Sequence, residues 1–320
     1  MSVGVALDLP DLAAVRAAAV RIAPHAQKTP LRTSHSIDAL LGAELVFKCE
    51  NLQRVGAFKF RGACNAVWSL PDDVAARGVV THSSGNHGAA VALAARTRGI
   101  PAHVVVPEGA VKTKLAAIEA YGATLHTCLA TMAAREAAAA RLCHETGGTL
   151  VHPFADPAVI AGQGTAALEL FEEAGTLDAL ITPIGGGGLI SGSAIVANAV
   201  SPGIRVHAAE PEGAADAYES RRRGARVTEM VPNTICDGLR GIIGEIDFAL
   251  LEKYDVSVLP VADRDTIAAM RLIFERMKLV VEPSSAIALA AVFRYREHFA
   301  GRRVGVIISG GNVDLDALPW

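Results

Sequence analysis

An α/β protein with two parallel, doubly wound sheets is what the sequence implies. Short β-rich runs alternate with alanine-rich helical runs from about residue 44 onward. The β-rich runs are continuously apolar rather than alternating. Of the 320 residues, 51% are hydrophobic and only 5% are aromatic. Continuous apolar strands separated by helices belong to a parallel sheet covered on both faces. The chain is long enough for a large core and for two domains.

The expected strands are, in order, ELVFK (44–48), VVTHS (79–83), AHVVVP (102–107), TLHTC (124–128), TLVHPF (149–154), ALITPI (179–184), IRVHAAE (204–210) and RVGVIIS (303–309). Helical runs such as GNHGAAVALAARTRG (85–99), VKTKLAAIEAYG (111–122) and TMAAREAAAARLCHETG (131–147) lie between them. The strands near 79, 102, 124 and 149 form a smaller unit, and the flanking segments a larger one. The expected division is 1–77 with 153–320 as the large domain and 78–152 as the small one. Ligands of such folds sit outside the carboxyl ends of strands, so the strand-to-helix junctions are where chemistry is expected.

Charge and composition remove several classes. The net charge is −3, and no basic run exceeds Arg221-Arg222-Arg223, which argues against a nucleic-acid partner. Residues 179–204 carry no charge, yet Pro183 and four glycines interrupt them, so a buried strand, loop and helix fits better than a membrane span. The five cysteines are scattered with no C-x-x-C pair, which fits a reducing cytosol rather than a disulfide scaffold or zinc site. MSVGVALDLPDL has no basic region ahead of an apolar stretch, so no signal peptide is expected and the localisation is cytoplasmic.

Four junctions carry candidate chemistry. In PIGGGGLISGSA (183–194), four glycines separate a strand from a helix. Glycine lets backbone approach a ligand, and a helix N-terminus offers free N–H groups, so four consecutive glycines after a buried strand suit a phosphate better than the plain alternative of a tight core turn. In THSSGNHGAA (81–90), Ser83, Ser84, Asn86 and His87 surround Gly85. They form an anion cup suited to a carboxylate, where an ordinary N-cap needs only one such residue. In VGAFKFRGA (55–63), Lys59 lies between two phenylalanines. Desolvation lowers a lysine's pKa and suits it to a Schiff base, although taken alone this one reads as a surface lysine with a buried stem. In ISGGNVD (308–314), Ser309 and two glycines form a further strand-end turn.

The order of these motifs, with KTPL (28–31), KCENLQRVGAFKFRGA (48–63), HPFADPAVIAGQGT (152–165) and ERMKLVVEPSSA (275–286), resembles the serine/threonine dehydratase and serine racemase family of fold-type II pyridoxal-phosphate enzymes. The resemblance covers essentially the whole chain. It implies a tryptophan synthase β-like architecture and a pyridoxal 5′-phosphate cofactor on Lys59. By the same resemblance, Phe58 lies near the pyridine ring, Asn86 bonds the ring hydroxyl, and Ser309 faces the ring nitrogen. Gly185, Gly186, Gly187, Gly188 and Leu189 hold the phosphate. Ser83, Ser84, Asn86 and His87 hold the substrate carboxylate, and Arg135 either closes on its distal side, where it would suit a β-carboxylate, or simply faces water from its alanine-rich helix.

The implied activity is an ammonia-lyase that converts a 3-hydroxy amino acid (serine, threonine or 3-hydroxyaspartate) to a 2-oxo acid and ammonia. The alternative is an amino-acid racemase with dehydratase side activity. Ser84 is the residue in question, either a second acid/base on the face opposite Lys59 or a carboxylate ligand only, while Phe154 in the HPF form resembles the dehydratases. Glu210, Asp216 and the Ala214 carbonyl resemble the family's cation loop, whose oxygen ligands suit Mg²⁺ or Ca²⁺. A homodimer is expected. Asp237 and Glu282 lie near the site without an assigned role.

Overall fold

The carboxyl ends of three adjacent strands set the position of the site. In the computed structural model, which describes residues 7–320, the strands are β1 (Leu31–Arg32), β2 (Glu44–Cys49), β3 (Val79–His82), β4 (Ala102–Pro107), β5 (Thr124–Cys128), β6 (Thr149–Leu150), β7 (Ala179–Pro183), β8 (Arg205–Pro211), β9 (Ser257–Val261) and β10 (Arg303–Ile308). One sheet has the order β1-β2-β10-β7-β8-β9, parallel except for β1. The other is parallel throughout, in the order β5-β4-β3-β6. The late strand β10 thus inserts between β2 and β7. Ile308 pairs with Cys49 of β2, and Val306 with Ile181 of β7. The chain segments that follow these three strands, which carry Lys59, Ser309 and the four glycines, therefore leave the sheet side by side.

Apolar clusters cover both faces of each sheet. The helix Pro157–Ala174 runs close against the helices Lys59–Ser69 and Gly188–Val200. A Cβ added at Gly192 would lie 2.4 Å from the Ile160 carbonyl oxygen, so only glycine allows that approach.

A buried ionic network anchors the lysine-bearing helix. Arg61, fully buried, donates Nε to Glu50 at 2.7 Å and Nη1 to Glu169 at 2.7 Å. Lys48, also fully buried, donates to Glu169 at 2.6 Å and to the Thr29 carbonyl at 2.6 Å. Two cations thus face two carboxylates, which is the condition for tolerating charge in a core.

Three strands differ from the sequence reading. The run 149–154 pairs only through Thr149 and Leu150. Pro153 has no N–H to donate, and His152 Nδ1 accepts from the backbone of Ala155 at 2.9 Å, which turns the chain away. β9 was not anticipated because Pro260 argues against a strand; it is tolerated because β9 is an edge. β1 has two residues, too few to leave a periodic signal.

Candidate active site

Lys59 opens its helix from a turn that is tied to the end of β10. Phe58 N–H donates to the Ser309 carbonyl at 2.9 Å, and Gly311 N–H donates to the Gly56 carbonyl at 2.9 Å. Ala57 and Gly310 form an antiparallel bridge. The half-buried Lys59 donates its amine to the Pro153 carbonyl at 2.8 Å, and the amine lies 5.1 Å from the Phe58 ring centroid. Burial pushes the amine down to about 8, while the charges of Asp247 and Glu282 partly oppose the fall. A lysine in this state is about one-tenth neutral at pH 7 and half neutral at about pH 8, far more than an ordinary lysine. Phe60 points the other way and is fully buried.

The glycine turn follows β7 and is walled on three sides. A Cβ at Gly185 would meet Leu239 Cα at 2.9 Å, one at Gly186 the Phe154 ring at 2.2 Å, and one at Gly187 the Asp247 Cβ at 2.5 Å. Gly187 also has φ of +107°, which favours glycine. The first intrahelical bond of Gly188–Val200 runs from Ser191 N–H to the Gly187 carbonyl at 2.9 Å. The preceding N–H groups of Gly188, Leu189 and Ile190 have no helical acceptor. A bare backbone turn with unused amides fits a phosphate group.

The serine cup stands at the end of β3. Ser83, Ser84 and Asn86 are half-buried, and Gly85 N–H reaches Ser83 Oγ at 3.3 Å. A Cβ at Gly88 would fall 2.2 Å from the Ser83 carbonyl, which fixes how tightly the turn folds over the helix Asn86–Arg98. Asn86 is held from both ends: its Nδ2 donates to Glu282 at 3.0 Å, and its Oδ1 accepts from Asn312 Nδ2 at 2.9 Å. The His87 ring is buried, with Nε2 donating to the Val151 carbonyl at 3.1 Å. Burial and the nearby Lys59 hold that ring well below the usual histidine range, hence neutral. What His87 can offer the cup is its backbone N–H, in the first turn of the helix.

Ser309 directly follows β10 at 3% exposure, beside the turn that carries Lys59. Next to it, the buried Glu282 accepts from Asn86 and, at 3.2 Å, from Asn312 N–H. Burial, reinforced by Asp237, pushes Glu282 up to about 7.

Arg135 lies on the helix Met132–Thr146, over the small sheet. Its Nε is buried and has no hydrogen-bond partner among the described residues. Burial holds His82, at the end of β3, below the usual histidine range, and the charges of Glu136 and Arg135 oppose one another there. His82 meets His152 edge-on at 5.3 Å, and His152 meets Phe154 at 4.7 Å. That aromatic row runs from the end of β3 to Phe154, whose ring stands against the glycine turn at Gly186.

The acidic loop lies behind the turn. Glu210 accepts from the N–H groups of Ala217 and Tyr218, each at 2.8 Å. Asp216 Oδ2 accepts from Ile243 N–H at 2.7 Å, while its Oδ1 has no partner. Ala214 is buried beside them. Burial pushes Glu210 up to about 8, with Asp216 adding repulsion, and burial lifts Asp216 to about 6. Among the described residues no group of three or more His, Cys, Asp or Glu comes together as a metal site. This loop therefore offers two carboxylates and has to draw further oxygen ligands from backbone and water.

Sequence reasoning gave no role to Glu282, Asp247 or the Pro153 carbonyl. Glu282 precedes Pro283, and Asp247 lies in a first helical turn. Acidic residues at both positions pass as ordinary complements to a helix dipole. A backbone carbonyl leaves no signal at all.

The model of the pyridoxal-phosphate dependent enzyme family matches residues 22–310. The chain belongs to that family. It is 46% identical over 312 residues to a protein of Paracoccus denitrificans named beta-hydroxyaspartate dehydratase, covering 98% of this chain and 99% of the relative. It is 47% identical over 313 residues to a serine racemase of Arabidopsis thaliana, covering 96% of this chain and 95% of the relative. The solved structure of maize serine racemase superposes with a TM-score of 0.93 at 44% identity, covering 96% of this chain and 95% of that one. The two-sheet α/β architecture is thus that of fold-type II pyridoxal-phosphate enzymes, and the family is one of enzymes that use this cofactor. The walled glycine turn with free amides and the low-pKa amine of Lys59 fit such a group. No helix among the described residues is long and apolar enough to cross a membrane.

Proposed function

We propose that the protein is an ammonia-lyase that takes a 3-hydroxy amino acid to a 2-oxo acid and ammonia, with 3-hydroxyaspartate as the favoured substrate type. The observation that carries the substrate reading is Arg135, a guanidinium whose buried Nε is unpartnered near the end of β3. A second carboxylate on the substrate would satisfy it with charge-assisted hydrogen bonds. The dehydratase relative, whose name specifies a hydroxyaspartate, supports the same reading.

Lys59 would hold pyridoxal phosphate through its amine, Gly185 to Leu189 its phosphate, and Asn86, Phe58 and Ser309 its ring. When bound, that group supplies an electron sink for charge developing at the substrate α-carbon. Lys59 would serve as the general base for the α-proton, a task that suits an amine that burial brings down to about 8. Ser83, Ser84 and the amides opening the helix Asn86–Arg98 hold the α-carboxylate. Glu282 and Asn312 hold Asn86 in register. Ser309, a neutral hydroxyl, would offer a bound ring nitrogen a hydrogen bond and no fixed counter-charge. Water is lost across Cα–Cβ and regained on hydrolysis of the released enamine, so the products are the 2-oxo acid and ammonia.

Racemisation is the second reading, and Ser84 supports it: a hydroxyl in the cup on the face opposite Lys59 would return a proton to the α-carbon. Glu210, Asp216 and the Ala214 carbonyl would hold Mg²⁺ or Ca²⁺ with water. We take residues 78–152 as the domain that carries Arg135 and the cup, and a cytoplasmic homodimer as the working form. The test is a panel of L- and D-serine, L-threonine and the threo and erythro 3-hydroxyaspartates, scored for 2-oxo acid and for enantiomer. A 2-oxo acid formed fastest from a 3-hydroxyaspartate is expected. Absence of 2-oxo acid from every compound would overturn the lyase reading.

A further inference from the structure

Asp247 has no role in the chemistry above, yet it lies against the glycine turn. It is fully buried in the first turn of the helix Glu245–Lys253. Its Oδ1 accepts from Ser191 Oγ at 2.9 Å. Its Oδ2 is buried and has no partner among the described residues. A Cβ built on Gly187 would fall 2.5 Å from Asp247 Cβ and 3.1 Å from its Oδ1, and one on Gly244 would fall 2.4 Å from its Oδ2. Gly244 N–H donates to the Gly186 carbonyl at 3.0 Å, so the carboxyl is enclosed between the turn and the loop behind it.

A carboxylate here competes for the same field that suits a phosphate. Two anions close together in a water-poor pocket repel strongly. A proton on the carboxyl removes the repulsion and turns the orphan Oδ2 from an acceptor into a donor. The elements packed on Asp247 offer little else to neutralise it. Ser191 is uncharged, as are Phe154 and Ala155, and Lys59 supplies the cationic field that reaches it.

We propose that Asp247 carries a proton whenever the glycine turn holds a phosphate group, so that phosphate binding at this turn is coupled to proton uptake. The inference rests on the reading of Gly185 to Leu189 as the phosphate site. Burial pushes Asp247 up to about 8, with the Ser191 hydrogen bond and Lys59 opposing the rise. The free protein thus loses this proton at mildly alkaline pH, and binding above that pH has to restore it. Asp247 is a positioning residue here, one that sets when the turn accepts a phosphate.

The test is titration of the apoprotein with 4′-deoxypyridoxine 5′-phosphate, which has the ring and phosphate but no aldehyde to react with Lys59. Dissociation constants are read by fluorescence between about pH 7 and about pH 9.5 for the wild type, Asp247→Asn and Asp247→Thr. The ligand's own ionisations and that of Lys59 enter all three proteins, so the difference in slope is the readout. Wild-type affinity is expected to fall about tenfold further than that of either variant across the range. Equal slopes in wild type and variants would overturn the role of Asp247 and leave the phosphate site standing. Failure of all three folded proteins to bind the probe would overturn the phosphate site, and the proposal with it.

Discussion

The backbone N–H of Phe58 donates to the carbonyl of Ser309 at 2.9 Å, joining residues 251 positions apart in the chain. That bond, with the Ala57–Gly310 bridge beside it, sets the lysine-bearing turn against the end of the strand that lies between β2 and β7. The candidate cofactor amine and the candidate ring-nitrogen partner are thereby positioned by one local pairing.

Lys59 should be the most reactive lysine at mild pH. Burial lowers its pKa to about 8, so its neutral fraction is half-maximal there, while exposed lysines stay protonated until above about 10. Acylation of the apoprotein over a pH series, read by peptide mass spectrometry, should give a midpoint near 8 for Lys59 alone. A midpoint with the bulk lysines would contradict the desolvated amine.

Arg61→Leu should destabilise the fold strongly. It leaves Glu50 buried without its guanidinium and removes one of two cations from Glu169. Breaking such a buried pair costs about 3–5 kcal/mol. Urea denaturation should show that loss, and a change under about 1 kcal/mol would mean the network is not a structural anchor.

Gly186→Ala should weaken cofactor retention by about tenfold or more, because its Cβ would lie 2.2 Å from the Phe154 ring. The double variant with Phe154→Ala removes the obstructing ring and should recover part of the affinity. Spectroscopic titration with pyridoxal phosphate measures both, and an unaffected single variant would show that the turn tolerates a side chain.

Glu282 gives stability a pH dependence of known sign. Its folded pKa is raised to about 7, above its unfolded value of about 4.3. Between those values the folded state holds a proton that the unfolded state has lost, so stability falls as pH rises through this window. Glu282→Gln should lose that component. Denaturation at about pH 5 and about pH 7.5 should show a smaller decline for the variant, and an equal decline would remove Glu282 as its source.

The parallel-sheet fold was legible because it is a local pattern, and the glycine turn and the serine cup stood out as local clusters at strand ends; Lys59 read alone as a surface lysine, and only the order of the motifs around it singled it out. Gly185 to Gly188 follow an apolar strand, and Ser83 to Asn86 follow another. Glu282 and Asp247 were not legible, because their roles come from partners far along the chain, Asn86 and Gly187. β9 was hidden by Pro260, which only its edge position permits. The run after Leu150 looked like strand because apolar composition does not reveal that Pro153 breaks the ladder.

The central claim, an ammonia-lyase whose Arg135 selects a β-carboxylate, is tested most directly by kcat/KM for 2-oxo acid formation from L-threo-3-hydroxyaspartate and from L-serine, in the wild type and in Arg135→Leu. The wild type should prefer 3-hydroxyaspartate by about tenfold or more, and the variant should lose most of that preference while keeping its activity on serine within about threefold. Equal loss on both substrates, or a preference that survives the substitution, would contradict it.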